Sequence, residues 1–80
     1  MVKDMFIRKG GKAIHLLGDI SRNVLDAELI IVRDEDKDNW IGNYAEGYGF
    51  MNVKFAKEDC RDATEEEVKM WLKDRNSIKF

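Results

Sequence analysis

The chain has 80 residues, 44% of them hydrophobic, 38% charged and 10% aromatic, with no proline, one cysteine, one histidine and a formal charge of -2. A chain of this length buries only roughly 60% of the surface its unfolded form exposes, which gives one small domain spanning residues 1–80 and argues against an enzyme with a deep substrate cavity of its own. The apolar and aromatic content is that of a packed domain and not of a disordered chain, the longest apolar run, Leu29-Ile30-Ile31-Val32, is far too short to span a membrane, and the single cysteine supports neither an internal disulfide nor a zinc site.

At the start of the chain, Met1-Val2-Lys3-Asp4 carries an acid and Met5-Phe6-Ile7 is cut off by Arg8 and Lys9. That pattern is not a secretory signal, and a cytoplasmic location is expected. Gly10-Gly11 then separates two apolar-rich runs. Two glycines supply the positive φ angles of a tight hairpin turn, so strands are predicted at about 3–9 and 12–17.

Gly18-Asp19 with Ser21-Arg22-Asn23 reads as a connection, because short polar side chains bond nearby backbone. Between Val24 and Asp34 two readings compete. Ile20, Val24, Ala27 and Ile31 fall at helical spacing, which gives a ββαββα arrangement. Leu25, Ala27, Leu29 and Ile31 alternate onto one face, and the run ends in β-branched Ile30-Ile31-Val32, which favours a central strand wrapped from both sides.

Asp34-Glu35-Asp36-Lys37-Asp38-Asn39 reads as a charged hairpin loop leading to Trp40-Ile41-Gly42-Asn43-Tyr44-Ala45. Acids at 34, 36 and 38 match the first ligand positions of a calcium loop. The match then fails, since Asn39 stands where the turn needs glycine and Ala45 where a bidentate glutamate belongs. Downstream, Met51, Val53 and Phe55 alternate with Phe50, Asn52 and Lys54 as in a half-buried strand, and Gly42, Gly47 and Gly49 suggest bends or bulges. Thr64 with Glu67 fits a capping box. A helix is predicted from Thr64 to Arg75, with Val68, Trp71 and Leu72 as its buried stripe.

These elements make a mainly β (α+β) domain: a small five-stranded antiparallel curled sheet or SH3-like barrel with a C-terminal helix. Charge is mildly uneven, with six Lys or Arg against four acids over residues 1–33 and eight against twelve over residues 34–80. That balance points to neither a strongly basic nucleic-acid binder nor an acidic mimic of one.

Three groups of residues are candidates for function. Arg8, Lys9 and Lys12 form a basic hairpin tip. Trp40, Tyr44, Tyr48 and Phe50 form a glycine-spaced aromatic cluster, suited either to a second small core under the helix or to a binding surface. His15 and Cys60 are a nominal base and nucleophile, but His15 reads as a half-exposed strand residue and the acids around Cys60 disfavour its thiolate. The first two groups point to a non-enzymatic module that binds a protein partner and needs no cofactor or metal. Direct nucleic-acid binding is the second reading, with Tyr48 and Phe50 stacking bases and Arg8, Lys12 and Lys54 meeting phosphates. Open sheet edges and a thin core also suit a homodimer.

From Trp40-Ile41-Gly42-Asn43-Tyr44 through Gly47-Tyr48-Gly49-Phe50 to Val53-Lys54-Phe55, and on to Arg61-Asp62-Ala63-Thr64-Glu65-Glu66-Glu67, the chain resembles short accessory proteins encoded by tailed bacteriophages. The resemblance covers residues 40–70. It implies a non-enzymatic role, in which such a protein binds a host protein or sequesters a ligand, and it assigns no functional residue.

Overall fold

A computed structural model of the protein describes residues 1–15, 20–46 and 52–80. Seven strands are seen among them: β1 Lys3–Ile7, β2 Lys12–His15, β3 Ile20–Asn23, β4 Glu28–Glu35, β5 Asn39–Tyr44, β6 Val53–Ala56 and β7 Cys60–Asp62. One helix, α1, follows at Glu65–Lys73. Every strand pairing is antiparallel, and the order across the sheet is β3-β2-β6-β5-β4-β1-β7. The mainly β sheet with a C-terminal helix is thus as expected, but with seven strands in place of five. The two added strands are the outermost ones: β3 takes up Ser21-Arg22-Asn23, expected to be part of a connection, and β7 falls in the polar stretch before the helix.

The first two strands do not form the predicted hairpin. β1 pairs with β4 and β7, while β2 pairs with β3 and β6. Gly10 has φ +82°, and the Gly11 N–H donates to the Arg8 carbonyl at 2.9 Å. This is a β-turn with glycine at the third position, where only a residue tolerant of positive φ fits well. It swings the chain from one end of the sheet to the other. The glycines show that the chain must turn, while the strand that each flanking run joins is decided by distant residues.

The β2–β3 ladder runs on into the turn that precedes β2. Gly10 N–H donates to Val24 O at 2.7 Å and Val24 N–H to Gly11 O at 2.8 Å, one step beyond the Lys12–Asn23 pair. The sheet is one open array and not the curled sheet expected, and no ladder joins β3 to β7 among the described residues.

Strand β4 is the central strand expected from its sequence. Ile30 and Val32 lie in the main core with Met5, Ile7, Ala13, Val24, Val53 and Phe55, whereas Leu29 lies on the opposite face with Phe6 and Trp71. We call these the inner and outer faces. The helical alternative over residues 20–28 is excluded by β3, and Leu25, expected on the buried face, is 80% exposed in the bend before β4. A register shift between Val32 and Asp34 places Val32 opposite Gly42. A Cβ at Gly42 would overlap the Ile31 carbonyl, so this glycine permits the close approach of β5 to β4 at the bulge. Gly47 and Gly49 lie outside the described residues.

The capping box forms as read. Glu67 N–H donates to Thr64 Oγ1 and Thr64 N–H to Glu67 Oε1, both at 3.2 Å. Trp71 is fully buried, and its Nε1–H donates to the Ala27 carbonyl at 3.2 Å. Val68 and Ile78 pack beside it. Leu72, predicted to be buried, is 69% exposed, and the helix ends at Lys73 and not at Arg75. Only the Trp71 edge of this short helix meets the sheet, and Leu72, one residue or about 100° further round, clears it.

Candidate interaction surface

The predicted basic tip is divided between two roles. Asp59, in the 3₁₀ turn Lys57–Asp59 before β7, is only 5% exposed. Arg8 Nε donates to its Oδ1 at 2.7 Å, Arg8 Nη2 lies 2.7 Å from the same oxygen, and the Lys12 backbone N–H donates to Oδ2 at 3.1 Å. Arg8 therefore neutralises a buried carboxylate and holds β7 to the start of β2. Lys9 and the Lys12 side chain are exposed, and neither makes an ion pair among the described residues.

The aromatic cluster also divides. Trp40 and Tyr44 lie on the inner face and pack against the main core, not under α1. Tyr44 meets Phe55 edge-on at 5.2 Å between ring centroids and His15 at 6.1 Å. Trp40 is half-buried beneath two ammonium groups, Lys3 Nζ at 3.8 Å and Lys57 Nζ at 4.6 Å from its ring centroid. Tyr48 and Phe50 lie outside the described residues.

The nominal nucleophile and base are both removed from full exposure. His15 is buried on the inner face, not half-exposed as its sequence suggested. The Cys60 thiol is pushed up to about 12, first by burial and then by the Asp59 charge, so it stays protonated at neutral pH. The acidic loop is used for its own turn. Asp36 Oδ1 accepts the N–H groups of Asp38 and Asn39 at 3.0 and 2.8 Å, and its other oxygen lies 3.2 Å from Lys54 Nζ. No group of three or more metal-ligating side chains occurs among the described residues.

Among the described residues, α1 covers only part of the outer face. α1, nine residues long, spans about 14 Å, while seven strands side by side extend over about 29 Å. The helix covers the end holding Phe6, Leu29 and Ala45. Beyond it, strand alternation and register place Ile31 beside Asn43, and Ile14, Lys54 and Ile41 in one row across β2, β6 and β5. The three isoleucines are half-buried.

This open end runs into a surface groove of about 550 Å³ lined by Lys12, Ile14, Lys37, Asp38, Asn39, Ala56, Lys57 and Glu58. Lys57 is paired with Glu35. Lys12, Lys37, Asp38 and Glu58 are exposed and make no ion pair among the described residues. Of the sequence-predicted residues that are described, Lys12 alone lines this groove, and Lys57 connects it to Trp40 through its position over the ring. The isoleucines were missed because each looks like an ordinary core residue. Their available signal was a period-two aliphatic set on the face opposite the main core, on a sheet with one short helix to cover it. Set against known proteins, the chain matches no family model, no curated protein and no solved structure.

Proposed function

We propose that the protein is a non-enzymatic interaction module that binds a protein partner on the part of the outer sheet face left open by α1. The supporting observation is the row Ile14, Lys54 and Ile41, where half-buried isoleucines flank a lysine on the sheet surface beside the groove at Lys12 and Lys37. A sheet face bearing apolar side chains gains from being covered, and apolar side chains interspersed with polar ones are found at protein interfaces. The phage resemblance suggests a host protein as the partner.

Mixed charge favours a protein over a nucleic acid. Lys54 and Lys57 are paired with Asp36 and Glu35, and Asp38 and Glu58 line the same groove as Lys12 and Lys37. A phosphate backbone would meet carboxylates wherever it met these lysines.

A photo-crosslinking residue placed at Ile41 tests the reading, with the same residue at exposed Leu25 as control. Discrete protein adducts from position 41 and none from position 25 are expected. Adducts from both positions alike, or none from position 41, would remove the assignment. Oligonucleotide binding that weakens steeply with salt would instead support the nucleic-acid reading.

A further inference from the structure

We infer that residues 74–80 form a strap that opens as a unit from the cluster of Phe6, Leu29 and Trp71 while the sheet stays folded, with the Arg61 guanidinium as its latch. The strap begins where α1 stops. Asp74 Oδ1 accepts the Asn76 N–H and the Asp74 carbonyl accepts the Ser77 N–H, both at 3.0 Å, so the 3₁₀ turn Arg75–Ser77 is closed by the strap's own residues. Beyond the turn, Ile78 packs against the cluster. The Arg75 guanidinium lies 5.1 Å from the Trp71 ring centroid and pairs with Glu46.

The strap and the sheet are held in different ways. Among the described residues, no backbone–backbone hydrogen bond joins residues 75–80 to a strand. Ile78 is half-buried, and Arg75, Asn76, Lys79 and Phe80 are exposed. A segment with few buried apolar contacts and solvent-exposed polar ones opens at a lower free energy than the core ladders.

Arg61, on β7, makes the attachment. Its Nη2 donates to the Lys79 carbonyl at 3.1 Å. Its guanidinium carbon lies 4.8 Å from the Phe80 ring centroid and 5.6 Å from that of buried Phe6. Arg61 also forks onto Glu67, which orients the guanidinium without help from the strap and presents its plane and donors for docking. With the strap closed, Trp71 is 1% exposed. Opening bares its ring, so the strap governs access to the apolar cluster beneath it. This device is separate from the groove at Lys12 and Lys37 and does not depend on the partner assigned there.

Acrylamide quenching of Trp71 tests the strap, in a Trp40→Phe background that leaves Trp71 as the sole indole. Phe80→Ala removes the aromatic half of the latch from a side chain that is 56% exposed, and Arg61→Met removes the charge and its hydrogen bonds while keeping an apolar stem. Each should raise the Trp71 quenching constant about twofold or more, with the sheet signal retained in circular dichroism. Because both act through one latch, the double variant should differ little from the stronger single one. A contact that only adds stability would lower the urea midpoint and leave Trp71 screened in the native state. Folded Phe80→Ala protein with unchanged Trp71 quenching, or quenching that rises only as the sheet signal is lost, would overturn the inference.

Discussion

Arg8 and Asp59, 51 positions apart in the chain, meet at 2.7 Å with the carboxylate buried and the guanidinium at the surface. The contact joins the chain after β1 to the turn before β7, and the Lys12 N–H on the same carboxylate adds the start of β2. A buried charge needs this degree of satisfaction, since leaving one unpaired costs several kcal/mol. The arginine that the sequence suggested as a contact residue thus closes the fold.

Replacing Arg8 with alanine should lower stability by about 2 kcal/mol, through loss of hydrogen bonds to a charged, desolvated acceptor. Arg8→Lys should recover part of that loss, because a single ammonium keeps the charge and loses the planar fork. Urea denaturation measures both. Lys9→Ala should leave the midpoint nearly unchanged, since the exposed Lys9 side chain makes no ion pair among the described residues.

Two glycines should respond differently to alanine. At Gly10 a Cβ meets nothing within 4 Å, but φ is +82°, so Gly10→Ala should cost about 1 kcal/mol in backbone strain. At Gly42 the Cβ would overlap the backbone of Ile31, and Gly42→Ala should cost about 3 kcal/mol or more by forcing β4 and β5 apart. Thermal or urea unfolding of the pair gives the ratio. Equal effects would contradict the close approach at the bulge.

Acid stability should depend on Glu67. Arg61 forks onto its carboxylate, Nη1 to Oε1 at 3.0 Å and Nη2 to Oε2 at 2.6 Å. The Arg61 hydrogen bond, aided by the Thr64 N–H, holds the carboxyl at about 2 against its usual 4.5. Because the folded value lies below the unfolded one, the contribution is fully present above 4.5 and is lost as the pH falls toward 2. Glu67→Gln keeps the cap geometry and removes the charge. It should lower stability at neutral pH and flatten the decline of the urea midpoint over the acid range.

Local signals carried much of the architecture. The capping box, the alternation of Val53 and Phe55, the β4–β5 hairpin and the two-sided burial of Leu29-Ile30-Ile31-Val32 all follow from side chains acting on near neighbours. What the local pattern lacked was long-range. Gly10-Gly11 has the composition of a hairpin turn, and nothing near it specifies that β1 pairs with β4 and β7. Leu72 sits at helical spacing from Val68, but which edge of α1 meets the sheet is set by Trp71 reaching the Ala27 carbonyl. At the candidate surface Lys12 was legible as an exposed cation. Ile14, Ile31 and Ile41 were not, because a strand residue covered by a helix and one left open have the same sequence signature, and α1 is too short to cover both ends.

Covalent footprinting with a carbene reagent tests the central claim most directly, comparing the dilute purified chain with the chain inside the cell that makes it. Labelling at Ile14, Ile31 and Ile41 should fall in the cell while labelling at Leu25 stays the same. Unchanged labelling of the three isoleucines, with protection confined to other parts of the surface, would contradict the assignment of the open outer face as the binding surface.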